Sequence, residues 1–197
     1  MRNVKDLLSE AEDWPDITDI LTDATKEDIP CLRPLLPELL QHPKWVVRCD
    51  ALNVIGDFQL GEFKHSVKKA IHDRNRGVRS YALGAYYDLL GQAALDEIRK
   101  ASQDKDVHVR VHALCLLFVE TTEDDALDQI ARIVVRKRCS YYHQYCVLHV
   151  LTYYLQVEAY PQVIDLFKRM RAKTPTWSGI RKDLNLTLKQ CREAHAS

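Results

Sequence analysis

The chain has 197 residues, 28 Lys and Arg, 28 Asp and Glu, and a formal net charge of zero. Hydrophobic residues make up 46% of it, which is ordinary for a globular protein and excludes general disorder. The longest apolar runs span only a few residues, so the sequence predicts neither a membrane span nor a signal peptide. We therefore expect one cytoplasmic domain over residues 1–197.

Helical signals run along the whole chain, with short connections and no sustained strand-like alternation. The first predicted helix, 3–12, ends at Asp13-Trp14-Pro15, because proline cannot continue the hydrogen-bond ladder. A second helix is expected to begin near Asp16, with Asp16 or Thr18 as its N-cap. The helix over 26–41 is predicted to be irregular or kinked, because three prolines fall within it.

The rest of the chain divides into helix pairs. They are predicted at 26–41 with 44–57, 62–72 with 75–90, 93–102 with 106–120, 123–135 with 139–156, and 160–172 with 177–194. Thr122 with Asp125 is a plausible cap for the helix that begins at 123. This organisation gives an acidic N-terminal cap (1–25), a repeat region (26–156) and a basic C-terminal helix pair (157–197).

A repeated phrase supports this division. The pattern Val-Arg-x-x-Ala-Leu occurs at 47–52, 78–83 and 109–114, and its arginines are 31 residues apart. A fixed period in this range is typical of a stacked repeat array. The apolar residues at helical spacing, such as Val47, Ala51 and Ile55, are predicted to face the core.

An acidic residue precedes two of these arginines by six positions. Asp73 precedes Arg79 and Asp104 precedes Arg110, whereas His42 takes the equivalent place before Arg48. We expect each aspartate to lie in the turn before the helix and to pair with the arginine of a neighbouring repeat.

These stretches resemble the HEAT-repeat family, including its short bacterial members with phycobilin-lyase-like repeats. Residues 73–83 and 104–114 both fit the D-x-x-x-x-V-R-x-x-A-L phrase typical of the family's second helix. The resemblance weakens at Tyr142–Val147, where His143 replaces the arginine and the offset becomes 33. It implies an all-α fold: a right-handed α-solenoid of about five helix pairs with an N-terminal capping helix, whose second helices line a concave face.

Positions beside the core stripe form columns on that expected face. The first column is Asp50, Tyr81, His112 and Tyr145; the second is Asn53, Gly84, Cys115 and Leu148; the third is Asp57, Asp88, Val119 and Thr152. We predict a partner-binding groove formed by Asp50, Asn53, Asp57, Tyr81, Asp88, His112 and Tyr145. Tyrosine supplies a large contact area with a polar tip, and the carboxylates favour a basic partner. The alternative is that Tyr81 and Tyr145 only cover the apolar seam.

No catalytic, cofactor or metal motif is evident. The sequence contains no phosphate loop, nucleophile elbow or dinucleotide fingerprint, so we predict no enzyme activity and no cofactor. Cys139, His143 and Cys146 lie near one helix face, and His108 and His112 are four residues apart, but neither group has the ligand spacing of a zinc site. We predict no metal.

Charge is distributed unevenly. Residues 1–30 contain nine Asp and Glu against three Lys and Arg, whereas residues 131–197 contain twelve Lys and Arg against four Asp and Glu. Such asymmetry indicates polar partner surfaces or simply soluble end caps. The basic residues Arg132, Arg136, Lys137, Arg138, Lys168, Arg169, Arg171 and Lys173, with Trp177 nearby, keep nucleic acid as a minor alternative.

The leading hypothesis is a non-enzymatic module, monomeric alone, whose partly acidic groove binds one basic partner protein. An immunity protein that neutralises a nuclease toxin would fit this description, as would a scaffold. The alternatives are an alkylpurine-glycosylase-type DNA-binding protein and a phycobilin-lyase-like maturation factor. The aspartate columns have the wrong sign for DNA phosphates, so we expect nucleic acid not to bind there.

Overall fold

The computed structural model describes residue 8, residues 13–136 and residues 139–194. Over these residues the protein consists of α-helices, short 3₁₀ turns and connections, without a β-strand. No helix in the described segments is both long enough and apolar enough to cross a bilayer. The all-α class is therefore confirmed. Contacts divide the chain into two compact units, Met1–Leu95 and Asp96–Ser197, and the single repeat domain stays a prediction.

The first unit has six helices within its described residues. They are α1 (Trp14–Thr22), α2 (Ile29–Leu32), α3 (Leu36–Leu39), α4 (Trp45–Asp57), α5 (Lys64–Ala70) and α6 (Arg76–Leu90), with 3₁₀ turns at Gly61–Phe63 and Gly91–Ala94. The long helices α4 and α6 pack side by side, α5 packs against α6, and α1 and α3 pack against α4. Most of the buried residues of α4 and α6 are apolar, so these two helices form the centre of this unit.

The second unit begins within α7 (Leu95–Ala101). It continues with α8 (Val107–Thr121), α9 (Asp124–Val134), α10 (Tyr141–Tyr154), α11 (Pro161–Lys173) and α12 (Gly179–Ala194), and a 3₁₀ turn at Val157–Ala159. The second helices of the pairs are neighbours, since α8 packs against α10 and α10 contacts α12. The first helices α9 and α11 also contact each other. Phe118 and Phe167 are fully buried in this unit.

The helix bounds agree with the sequence-based prediction. From residue 44 onward, the first and last residues of each predicted helix lie within two positions of those of the matching observed helix. The proline-rich segment 26–41 is irregular as expected, because it forms only the two single-turn helices α2 and α3. The predicted helix 3–12 lies outside the described residues except for Leu8, which is helical.

Two predicted helix caps are wrong. Helix α1 begins at Trp14, with Asp13 at the N-cap position, because Pro15 is tolerated in the first turn. Thr18 does not cap this helix but donates its hydroxyl to the Pro15 carbonyl at 2.9 Å. Thr122 ends α8 in a left-handed conformation (φ 56°), so Glu123 occupies the N-cap position of α9.

The repeated arginine ties each second helix to the turn before it. The Nη1 group of Arg48 donates to the His42 carbonyl at 2.7 Å, that of Arg79 to the Asp73 carbonyl at 3.0 Å, and that of Arg110 to the Asp104 carbonyl at 2.7 Å. Carbonyls near a helix end need such donors. We call this interaction the arginine clasp.

The residue six positions before each arginine also shapes the turn. Asp73 accepts from the Asn75 N–H and Asp104 from the Asp106 N–H, both at 2.7 Å. His42 does the same with its Nδ1 atom, which accepts from the Lys44 N–H at 3.2 Å. Histidine therefore replaces aspartate here because both supply an acceptor two residues before the N–H.

The predicted pairing of neighbouring repeats is confirmed for the first arginine. Arg48 donates from Nε and Nη2 to the two carboxylate oxygens of Asp73, at 3.1 and 3.0 Å. Arg48 is only 6% exposed, so this bidentate ion pair is largely shielded from water. It links the turn before α6 to α4.

A fourth clasp was not predicted. Arg181, at the start of α12, donates from Nη1 to the carbonyls of Arg171 and Thr174 at the end of α11. In α10, which has no arginine, the amide of Gln144 donates to the Val134 carbonyl at 3.3 Å. The Thr174 hydroxyl donates to the side-chain oxygen of this buried glutamine at 3.3 Å. Hydrogen bonds between the start of a helix and the segment before it therefore also occur at α10 and α12, where the repeated sequence phrase is absent.

The Arg48 clasp is expected to be a major source of stability. The variant Arg48→Met retains side-chain volume but leaves the Asp73 carboxylate and the His42 carbonyl without this donor. We expect a loss of about 3 kcal/mol in the free energy of unfolding, measured by urea denaturation.

The matched control is Arg33→Met, which removes the exposed ion pair between Arg33 and Glu62 (3.2 Å). Its loss should be less than about 1 kcal/mol, because solvent screens exposed pairs. Equal losses for the two variants would show that the clasp adds nothing beyond an ordinary surface pair.

Candidate functional site

The structure places five of the predicted groove residues in the first unit. Asp50, Asn53 and Asp57 lie on α4, and Tyr81 and Asp88 lie on α6. On α4 the stripe of Val47, Ala51 and Ile55 is completely buried, as predicted. Asn53 and Asp57 are exposed and Asp50 is half-buried, so they lie beside the core stripe. We call these five residues the acidic surface.

The carboxylates on α4 are poorly compensated. Burial raises the pKa of Asp50 from its ordinary value of 3.8 to about 6, and burial also raises the pKa of Asp57. Within the described residues, neither carboxylate forms a hydrogen bond or an ion pair. A partly desolvated carboxylate without a counter-charge is unfavourable, and a cation supplied from outside would relieve it.

Gly56 allows α4 and α6 to approach closely at this surface. A Cβ atom added to Gly56 would lie 2.9 Å from Oδ2 of Asp88 and 3.1 Å from the Ala85 Cα. The Asp88 carboxylate therefore lies directly over the backbone of α4 at Gly56. The absence of a side chain at position 56 leaves room for Asp88 and Ala85 of α6 against α4.

A shallow cavity of about 370 Å³ adjoins the end of α4. It is lined by Lys26, Ile29, Arg33, Asp57, Phe58, Gln59 and Leu60. The cations at positions 26 and 33 limit the acidic surface on this side, so Asp57 marks its edge. Asp50 and Asp88 are the half-buried acids of the surface.

The other two predicted groove residues lie in the second unit. His112 is half-buried on α8, and Tyr145 is 45% exposed on α10. The second predicted column does not continue on an exposed face here, because Cys115 is completely buried and Leu148 is 6% exposed. Helix α8 packs against both α9 and α10, so a wider part of its circumference is buried.

Packing accounts for several histidine and cysteine positions. The rings of His108 and His143 stack between α8 and α10, with centroids 6.2 Å apart. Burial raises the pKa of the Cys146 thiol to about 12, which disfavours the thiolate that a metal would need. Among the described residues, no group of three or more His, Cys, Asp or Glu side chains is arranged to hold a metal ion.

An aromatic row on α10 was missed by the sequence-based prediction. Tyr141, Tyr145, His149 and Tyr153 stack successively, with ring centroids 6.0, 5.7 and 6.1 Å apart. We call them the tyrosine ladder. These residues recur at every fourth position of the sequence, and that spacing is the signal that could have revealed the row. His149 is exposed within this row.

Basic and aromatic side chains are also exposed elsewhere in the second unit. Trp177 is 84% exposed. A cavity of about 310 Å³ at α11 and α12 includes Lys168, Arg171 and Arg192 in its lining. Of the predicted basic cluster, Lys137 and Arg138 lie outside the described residues.

Comparison with known proteins found no matching family model, no matching curated protein and no matching solved structure.

The close approach at Gly56 is testable. The variant Gly56→Ala should lower the free energy of unfolding by about 1 to 2 kcal/mol, because the new methyl group meets α6. This loss is expected despite the better helix propensity of alanine. Gly61→Ala is the control, since nothing lies within 4 Å of its added Cβ. If both glycines tolerate alanine equally, α4 and α6 are not in contact as described.

The raised pKa of Asp50 predicts a pH-dependent cost to stability. The folded protein holds the Asp50 proton more tightly than the unfolded chain, so the cost is absent below about pH 3.8 and complete above about pH 6. Asp50→Asn should therefore stabilise the fold at pH 7, by about 1 kcal/mol after allowing for solvent screening of a partly exposed group.

The measurement is thermal unfolding at pH 7 and pH 4.5, with Asp128→Asn on an exposed position of α9 as the control. The gain for Asp50→Asn should shrink at pH 4.5. A gain that is equal at both pH values would contradict the assigned burial of this carboxylate.

Proposed function

We propose that this protein is a repeat-built binding module that takes one basic partner protein on the acidic surface. The observation that carries the proposal lies on α4: Asp50 and Asp57 are partly desolvated, and neither forms an ion pair with an opposite charge within the described residues. A lysine or arginine from a partner would supply that charge. Binding would offset the cost of the partial desolvation of these carboxylates in the free protein, and this gain would add to the affinity for the partner.

Binding would release a proton from Asp50 near pH 6. A cation beside a carboxylate lowers its pKa, so a bound basic residue would restore the ionised form. Complementary charge also accelerates association and excludes acidic competitors. Tyr81 is 40% exposed on α6 and offers contact area of the kind that interfaces favour.

The proposed architecture is a right-handed α-solenoid of about five HEAT-type helix pairs. Three features within the units support it: neighbouring second helices, the recurrent arginine clasp and the Arg48–Asp73 pair between successive repeats. Arrays of this kind present extended surfaces for their size. Such a surface suits a partner protein better than a small ligand.

A more specific role is immunity against a nuclease toxin, with the protein monomeric before it meets its target. A nuclease has a basic channel for its substrate, which an acidic surface can occlude. The role fits a cytoplasmic protein with six free cysteines, which persist in reducing compartments. DNA repair and pigment maturation are less well supported, because uncompensated carboxylates repel phosphates and carboxylated pigments alike.

The decisive experiment is affinity capture from the native host with two baits, the wild type and the double variant Asp50→Asn/Asp57→Asn. We expect the wild type to retain a basic protein in stoichiometric amounts, and the double variant to retain at least tenfold less. Removal of two carboxylates weakens charge pairing without burying a new charge. For the immunity role, the captured protein should also lose nuclease activity when one equivalent of the wild type is added.

Asp124→Asn/Asp128→Asn, on exposed positions of α9, is the matched control for charge alone and should retain the partner. Recovery of nucleic acid or pigment in place of a protein would refute the proposal. Equal retention by both double variants would refute the assignment of the acidic surface.

A further inference from the structure

The cavity at α11 and α12 is a concave feature of the second unit that the proposed function leaves unused. Its volume is about 310 Å³. Sites for small molecules range from about 300 to 1,000 Å³, so this cavity suits a small ligand better than a protein segment. The lining positions recur at helical spacing, which places them on one face of each helix. They are Pro161, Ile164, Lys168 and Arg171 on α11, and Leu188, Cys191 and Arg192 on α12.

The most buried part of this lining is apolar. Leu188 and Cys191 are almost completely buried, whereas Ile164 is half-buried and Pro161 is exposed. A ligand can therefore contact apolar side chains at the surface as well as deeper in the cavity. A ligand that consists of a charged group alone would leave these contacts unused, so the lining favours a ligand with an apolar body.

Three cations line the same cavity. Lys168, Arg171 and Arg192 form no ion pair within the described residues. The Nε atom of Arg192 donates to the Leu188 carbonyl at 3.2 Å, which holds this guanidinium beside the apolar lining. Its Nη1 and Nη2 atoms have no hydrogen-bond partner in the described segments, so they can donate to a ligand. Like charges repel one another, and an anion in the cavity would offset that repulsion.

Two acids of these helices pair with cations outside the cavity. Asp165 binds Arg169 at 3.7 Å, and Glu193 binds Lys189 at 3.6 Å. Neither Arg169 nor Lys189 belongs to the lining. These two acids therefore do not compensate the three cations of the cavity.

The remaining acids of the neighbouring elements oppose the three cations only in part. Burial and the charge of Glu158 raise the pKa of the Cys191 thiol, so Glu158 lies near the cavity. Asp183 precedes Arg192 by nine residues, which is roughly 13 Å along α12. Helix α9 contacts α11, but its exposed acids do not line the cavity; they are Asp124, Asp125 and Asp128. One nearby acid against three cations leaves the cavity positively charged.

We infer that this cavity binds a small phosphate monoester with an apolar body. Such a phosphate carries a charge of about −1.5 to −2 at pH 7, which suits three cations and one acid better than the single charge of a carboxylate does. Guanidinium groups also match phosphate oxygens through two parallel hydrogen bonds. The apolar body of the ligand contacts Ile164 and Leu188. This site belongs to the second unit and does not depend on the acidic surface.

The test is isothermal titration calorimetry with phenyl phosphate at about pH 7.5, where the phosphate has largely lost its second proton. We expect the wild type to bind it with a Kd of about 1 mM or below. Inorganic phosphate lacks the apolar body and phenol lacks the charge, so each should bind at least tenfold more weakly. Arg171→Gln/Arg192→Gln removes two cations of the lining and should weaken the binding of phenyl phosphate at least tenfold.

The matched control is Lys173→Gln/Lys182→Gln, which removes one exposed cation outside the lining from each of the same helices. It should change the Kd by less than about twofold, because solvent and salt screen charges outside the cavity. Ile164→Ala should weaken the binding of phenyl phosphate and leave that of inorganic phosphate unchanged. Circular dichroism and the thermal midpoint establish that each variant is folded. If the double arginine variant is unfolded, Lys168→Gln at an exposed position replaces it, with an expected weakening of about threefold.

Several outcomes would overturn the assignment of this site. The first is no detectable binding of phenyl phosphate at about 1 mM, on the order of the weakest specific affinities. Equal weakening by the two double variants would show that only the overall charge attracts the anion. If inorganic phosphate binds as tightly as phenyl phosphate, the apolar lining has no role in recognition. If benzoate binds as tightly, the ligand class is a carboxylate and the phosphate assignment is wrong.

Discussion

The hydrogen bonds of arginine side chains determine how the second helices α4, α6, α8 and α12 meet the turns before them. Three of these arginines, Arg48, Arg79 and Arg110, donate to the carbonyl six residues earlier. A lysine could not reproduce the arrangement at Arg48, whose planar guanidinium also binds both oxygens of Asp73. The clasp ties each of these helices to the preceding turn through directional bonds, and the apolar stripe supplies the burial that stabilises the arrangement.

The chemistry of the acidic surface follows from that geometry. With the stripe of α4 turned into the core, the next positions around the helix, Asp50 and Asn53, lie at its margin. The absence of a side chain at Gly56 allows α6 to pack closely against α4. The carboxylates are thus placed where desolvation raises their pKa but no partner within the described unit compensates them.

The sequence allowed the helices to be predicted because their signals are local. Prolines, turn residues and the 31-residue period located every helix from residue 44 onward. The pairing of Arg48 with Asp73 was also predictable, since it follows from the period and from opposite charge. The burial of Cys115 was not, because it depends on how α8 packs against two neighbours. The prediction that Thr122 caps α9 was wrong for a related reason. Thr122 has a left-handed backbone conformation that ends α8, and residue type alone does not predict this conformation.

The tyrosine ladder has a regular spacing in the sequence, yet that spacing alone does not predict that its side chains are exposed. Its residues recur every fourth position, but so do core residues, and only burial distinguishes an outward row from an inward one. Val147 and Leu151 of α10 are buried in the core, so the tyrosines at 141, 145 and 153, on another face of the helix, are exposed to solvent. Each repeat needs only a few apolar positions for its packing, so its outward positions are free to differ. The same helical architecture can therefore carry carboxylates on α4 and phenol rings on α10.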